Sequence, residues 1–162
     1  MTNATEPSRL DAVTGGGSAV KKPVVGAAIL DSLESPCTLL AARRSAPEQL
    51  AGLWEFPGGK VEPGEHPRQA LLREVREELG VGLELADEVG ADHPEGWLLA
   101  NGARMRVFLA VLREGDPRPL EDHDLLEWTA LTSTALHQLD WIPADRPIVD
   151  ALLAQVRQNR AS

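Results

Sequence analysis

A chain of 162 residues with 43% apolar content is long enough to bury a core, and its length favours one domain. Its formal charge is −9, from 25 acidic against 16 basic residues, which disfavours duplex nucleic acid as a partner because such binding needs a positive surface to displace counterions. A single cysteine, Cys37, excludes an intramolecular disulfide framework and suits a reducing compartment.

Residues 1–22 are polar, carry Gly15-Gly16-Gly17, and read as a disordered arm. They lack the charged-then-apolar order of a secretory signal. PVVGAAIL (23–30) and TLLAARR (38–44) predict two strands around a proline-containing loop. GLWEFPGG (52–59) predicts a third strand ending in a glycine turn. HPRQALLREVREELG (66–80) predicts the clearest helix, with Pro67 in its first turn and Gly80 as its left-handed cap. WLLANGARMRVFLAVL (97–112) reads as a hairpin whose Asn101-Gly102 pair favours a tight primed turn. DLLEWTAL (124–131) predicts another strand, and TSTALHQL (132–139) a short helix capped by Thr132 or Ser133. RPIVDALLAQVRQNR (146–160) has an amphipathic period at Ile148, Val149, Leu152, Leu153 and Val156. Residues 23–160 thus form a single α+β domain of layered strands and helices. No apolar run nears the roughly 20 residues that span a bilayer, so the expectation is a soluble, cytoplasmic protein with no membrane partner.

The long central helix carries an unusual charge pattern. On a helical wheel Leu71, Leu72, Val75 and Leu79 cover an arc of about 100° that would face the core. Glu74, Glu77 and Glu78 fall on a neighbouring arc of about 100°, with Glu78 nearest the apolar edge and most desolvated. Like charges at these spacings destabilise a helix, and a carboxylate beside a core loses hydration. A solvated acidic face is the commoner reason for such a cluster. A divalent cation would relieve both costs, and magnesium favours hard oxygen ligands between carboxylates and substrate phosphates. The preceding Gly58 and Gly59 allow a close backbone approach with an exposed carbonyl, and Lys60 could meet a phosphate as a point charge.

The spacing G-x5-E-x7-R-E-U-x-E-E-x-G-U, with U a bulky aliphatic, is filled by Gly59, Glu65, Arg73, Glu74, Val75, Glu77, Glu78, Gly80 and Val81 without departure. It resembles the Nudix box, and the flanking AGLWEFPGGKVEPGE and WIPADRPIVDALL resemble the MutT-like branch of that family. The resemblance implies a mixed sheet sandwiched between helices (α/β/α). It also implies hydrolysis of a nucleoside triphosphate to the monophosphate and pyrophosphate with magnesium, for which manganese can substitute. Carried over by position, Gly58 offers its carbonyl, and Glu74, Glu77 and Glu78 their carboxylates, to the metal. Gly59, Glu65 and Arg73 brace the box. Glu74, Glu77 or Asp122, six residues before Trp128, would serve as base, with Glu121 and Asp124 as rivals to Asp122. Arg44 matches a phosphate-facing arginine of the branch.

Asp145 bears on specificity. MutT proteins that act on 8-oxo-dGTP resemble this segment with asparagine there, whereas an ionised aspartate only accepts hydrogen bonds. Aspartate suits a base edge presenting donors, such as the cytosine amino group; CTP pyrophosphohydrolases of the branch are similar in the PAD triplet. Oxidised guanine also gains a donor at N7. A helix N-cap is the structural alternative for Asp145. The four tryptophans and Phe56 are candidates for base stacking or for packing, and the four histidines read as surface residues, His123 standing apart only because it adjoins Asp122. Other functions compatible with the box are a Nudix hydrolase for ADP-ribose or a dinucleoside polyphosphate, and a non-catalytic nucleotide-binding module. A monomer and a homodimer fit equally.

Overall fold

The computed structural model describes residues 21–162, so the expected arm at 1–22 lies almost wholly outside the described residues. Three strands are apolar on both faces and form the centre of the sheet. These are β1 (Val24–Leu30), β2 (Thr38–Arg44) and β7 (Arg104–Glu114). In β1, Ala28 and Leu30 point into one core while Val25, Ala27 and Ile29 point into the other, the period-2 alternation of a strand buried on both sides. β1 and β7 run parallel; the remaining pairings are antiparallel.

The other strands are β3 (Trp54–Glu55), β4 (Gly58–Lys60), β5 (Gly82–Glu88), β6 (Trp97–Leu98) and β8 (His123–Ala130). Along the main path the order is β3-β2-β1-β7-β5, with β4 on β1, β6 on β7 and β8 on β2. One edge of β1 changes partner along its length: Val24–Gly26 pair with β4, but Leu30 pairs with β2. Helix α1 (Pro67–Leu79) covers one face through Ala70, Leu71, Val75 and Leu79. The other face is covered by α2 (Ser133–His137) through Leu136 and by α3 (Arg146–Ala161) through Ile148, Val149, Leu152, Leu153 and Val156. This is the expected sandwich, and each buried Leu or Ile in it contributes about 1.5–3 kcal/mol of transfer free energy.

The helix signals read true. His66 caps α1 by accepting the Arg68 N–H, Pro67 opens it, and Gly80 closes it at φ 73°. Thr132 caps α2 by accepting the Ala135 N–H. Several details differ from expectation. Leu72, at one edge of the apolar arc, is 39% exposed, because the buried face is turned toward the other edge, where Leu71 and Ala70 are fully buried. Gly58 and Gly59 do not form a turn but lie in β4, paired with Gly26 and Val25. The hairpin between β6 and β7 has no two-residue primed turn. The Gly102 N–H donates to Leu99 and the Leu99 N–H to Ala103, and only Gly102 adopts a positive φ, at 90°; this is a three-residue loop ending in a glycine bulge. β5 was not anticipated, since GLELADE (82–88) has half-exposed polar positions that blunt its periodicity.

Candidate active site

The site begins with α1. Its flank presents Glu74, Glu77 and Glu78 at graded depth. Glu78 lies deepest, and burial pushes its carboxyl up to about 7, nearby Glu55 adding to the shift and His123 opposing it. Burial also raises Glu74, partly offset by Arg73, while Glu77 is half exposed. This is the order given by distance from the apolar edge of the wheel.

Two adjacent glycines bring β4 against these carboxylates. The Gly58 N–H donates to Glu78 Oε1 at 3.0 Å. A Cβ on Gly59 would fall 2.3–2.6 Å from the carboxylate of Glu74, and a Cβ on Gly58 would fall 1.9 Å from the Val25 carbonyl oxygen. Close approach, not turning, is what requires glycine here. On the outer side, Arg73 grips Glu65 with two bonds of 2.9 Å, its Nη2 donates to the Lys60 carbonyl at 3.1 Å, and its Nη1 reaches Glu74 at 3.1 Å and Glu77 at 3.5 Å. The guanidinium holds Glu65 down to about 2. The fork thus ties the loop to the helix.

Could these residues hold a divalent cation? The donor set is hard oxygen throughout. Two carboxylates raised by burial are short of positive charge, and the space left by the missing Gly59 Cβ is filled by the Glu74 carboxylate. Both observations fit a metal. With Arg73 between Glu74 and Glu77, no three carboxylates converge on one point among the described residues, so binding would draw Glu74 and Glu77 from Arg73 toward the ion.

On the opposite wall, beside the expected Arg44 and Asp122, Glu55 was not foreseen. Glu55 lies between two buried aromatics, Trp54 and Phe56, and its Oε2 receives two donors: Arg44 Nη1 at 3.0 Å and His123 Nε2 at 2.7 Å. His123 is buried, contrary to the surface position expected of it. Burial disfavours its charged form, but Glu55 and Glu78 outweigh that effect and raise its pKa. Arg44 also donates from Nε to the Ala46 carbonyl at 2.8 Å and lies 3.6 Å from Asp122. Asp122 is 64% exposed. Of its rivals, Asp124 is engaged by Arg43 at 2.9 and 3.2 Å, and Glu121 has the left-handed φ of 54°. A charged residue inside the apolar run LWEF, next to a glycine pair, was the available signal for Glu55. His123 gave no comparable signal, since its burial depends on how β8 lies against β2.

Across the Gly58–Gly59 strip from Glu74 and Glu78 is a cleft of about 430 Å³, lined by Arg44, Glu55, Phe56, Lys60 and Asp145 together with Gly58 and Gly59. Its far end is built by the 140–145 segment. Trp54 bonds through its N–H to Asp140 and through its carbonyl to Ile142, and Asp145 Oδ2 then accepts the Phe56 N–H at 3.2 Å, continuing that ladder with a side chain. Asp145 stands at the start of α3 but makes no capping bond, so the N-cap alternative does not hold. It is 4% exposed, and burial pushes its carboxyl up to about 7. Phe56 is packed on Trp141, centroids 5.2 Å apart; Trp54 and Trp141 belong to the core, whereas Trp128 is exposed.

Comparison with known proteins agrees with this geometry. A family model for the NUDIX domain matches residues 20–152. The Mycobacterium tuberculosis protein named "Putative 8-oxo-dGTP diphosphatase 2" is 47% identical over 68% of this chain and 75% of its own length. The CTP pyrophosphohydrolase of Escherichia coli is 36% identical over 75% of this chain and 87% of its own. Among solved structures, the ORF135 protein of E. coli superposes with a TM-score of 0.64 at 35% identity, covering 86% of this chain and 93% of that one. With the box complete and these relatives spanning most of the domain, the chain belongs to the Nudix hydrolase family, in its MutT-like branch.

Proposed function

We propose that this Nudix hydrolase is a magnesium-dependent diphosphohydrolase of (deoxy)nucleoside triphosphates. It releases the monophosphate and pyrophosphate, removes unwanted nucleotides from the cytoplasmic pool, and works through a single domain at residues 23–160. One observation carries the reading. The Gly58–Gly59 strip forms a shared wall, with the Glu74 and Glu78 carboxylates against one side and, on the other, a cleft that ends at the buried Asp145. A triphosphate laid along that cleft has its phosphates at the glycines, Arg44 and Lys60, and its base at Asp145.

Glu74, Glu77, Glu78 and the Gly58 carbonyl are the residues that would hold magnesium, or manganese in its place. Bound there, the ion would screen the phosphate oxygens and acidify a water. The chain's own groups do the rest. Arg44 and Lys60 orient the phosphate chain, and Glu74, Glu77 or Asp122 accepts a proton from the attacking water. Glu78, raised by burial, would favour its ionised form beside a cation. At the other end Asp145 is poised between neutral and ionised forms, so its free oxygen can present an acceptor or an O–H to a base. That suits cytosine and oxidised guanine, the bases in the names of the relatives.

The reading is tested by a panel of CTP, dCTP, 5-methyl-dCTP, dGTP, 8-oxo-dGTP, ADP-ribose and diadenosine polyphosphates with magnesium, scored by chromatography for pyrophosphate and monophosphate from the triphosphates, for AMP and ribose 5-phosphate from ADP-ribose, and for mononucleotides from the diadenosine compounds. Preferential release from a cytosine or oxidised guanine triphosphate is expected. Preference for ADP-ribose or a dinucleoside polyphosphate would overturn it.

A further inference from the structure

The buried histidine opposite the carboxylate helix has a role that packing does not explain. His123 opens β8 at the point where the β2–β8 register slips between Arg43 and Arg44, so that His123 faces Arg44 across the irregularity. Such slips re-aim side chains. The imidazole is fully enclosed, its Nε2 donates to Glu55 Oε2 at 2.7 Å, and its Nδ1 is buried with no partner among the described residues. An enclosed ring that leaves one nitrogen unsatisfied is a poor choice for packing alone, since an apolar side chain of similar size would avoid the penalty. Its polar contact is spent on Glu55.

Glu55 in turn holds Arg44. Both donors converge on the same oxygen, His123 at 2.7 Å from β8 and Arg44 Nη1 at 3.0 Å from the neighbouring β2. Without His123, the carboxylate and guanidinium could swing as a pair, tethered only by the Arg44 Nε bond to the Ala46 carbonyl and the looser approach to Asp122. With it, Arg44 is fixed at the wall of the cleft, where Nη2, approached only loosely by the exposed Asp122 at 3.6 Å, can turn its N–H groups to a ligand.

We propose that His123 is a positioning residue: by pinning Glu55 it fixes the Arg44 guanidinium in the orientation that receives the substrate's phosphates. This rests on the proposed function for the role of Arg44, but the pinning itself can be tested without substrate. The action needs only an N–H donor at the Nε2 position and does not depend on the ring's charge. Glutamine can place an amide N–H there; asparagine ends where Nδ1 lies and cannot reach; leucine has no donor.

The experiment compares His123→Leu, His123→Asn and His123→Gln by two readouts. The first is NMR of the Arg44 guanidinium nitrogens, assigned through Arg44→Lys, in the substrate-free protein. Hindered rotation, with separate Nη signals, is expected in the wild type and His123→Gln, and averaged signals in His123→Leu and His123→Asn. The second is the split between KM and kcat on the preferred nucleotide. Loss of one charge-assisted bond to the phosphates predicts a KM about 10-fold higher, with kcat within roughly 2-fold, in the leucine and asparagine variants, and recovery with glutamine. If His123→Leu does not fold, the asparagine–glutamine comparison decides. Arg44 signals unchanged in the variants without a donor, or a fall in kcat at constant KM, would overturn the proposal. Absence of turnover in the wild type would defeat the proposed function, and the NMR comparison would still decide the pinning.

Discussion

The Gly58 N–H donates to Glu78 at 3.0 Å, so a strand that lines the cleft is joined directly to the helix that carries the acidic flank. The bond explains how a partly buried carboxylate is tolerated: it has a backbone donor, and His123 lies close enough to offset part of its cost. It also makes Gly58 and Gly59 unequal, though they are neighbours in sequence.

The two glycines should respond differently to alanine. In Gly58→Ala the new Cβ meets the Val25 carbonyl of a central strand at 1.9 Å. The backbone must shift, and a loss of about 2–4 kcal/mol is expected, as for other severe core strain. In Gly59→Ala the Cβ meets the Glu74 carboxylate, the movable end of a side chain, so stability should fall by only about 1 kcal/mol. Activity should nevertheless drop at least 10-fold, because Glu74 is displaced. Denaturant melts and initial rates on both variants check the contrast.

Glu77 is half exposed and, among the described residues, ion-pairs with Arg73 at 3.5 Å, so Glu77→Gln should leave the melting temperature within about 2 °C of the wild type. Turnover should fall by about 100-fold or more if it serves the metal or the attacking water. Near-normal rates would remove Glu77 from that role.

Asp145 gives a pH dependence with a definite sign. Its carboxyl rises from the ordinary 3.8 to about 7 on folding, so between those values the native state binds more protons than the unfolded state. Stability from this group is fully present below about pH 4 and declines as pH rises through 7. Asp145→Asn removes the titration and keeps an acceptor for the Phe56 N–H. It should stabilise the protein by on the order of 2 kcal/mol at pH 8 and by almost nothing at pH 4. Urea melts across that range measure the difference.

The same substitution should shift preference among bases more than it changes the rate on the phosphate chain. An amide presents a fixed donor and acceptor where the carboxyl can change form. Specificity constants for CTP, dGTP and 8-oxo-dGTP provide the check, and an equal loss on all three would count against base reading by Asp145.

How much of this could be read from the chain depended on whether the signal was local. The α1 boundaries were legible because Pro67 and Gly80 act on their own turns, and the depth order of Glu74, Glu77 and Glu78 followed from helical angle alone. The Gly58–Gly59 pair was legible as a place of close backbone approach but not as a strand, and what it approaches, the Val25 carbonyl and Glu74, is distant along the chain. Glu55 escaped notice, and His123 stood out only as the neighbour of Asp122, because their meaning lies in a contact 68 residues apart in sequence. Asp145 was singled out for base reading and lines the cleft, but its proton affinity comes from enclosure that no spacing encodes.

The most direct measurement is a crystal structure with magnesium and a non-hydrolysable nucleoside triphosphate analogue. The expected result is density for at least one cation bridging the analogue's phosphates to the flank formed by Glu74, Glu77 and Glu78, with the Gly58 carbonyl nearby and the base at Asp145. Nucleotide bound with no cation on that flank, or a cation held elsewhere, would contradict the account.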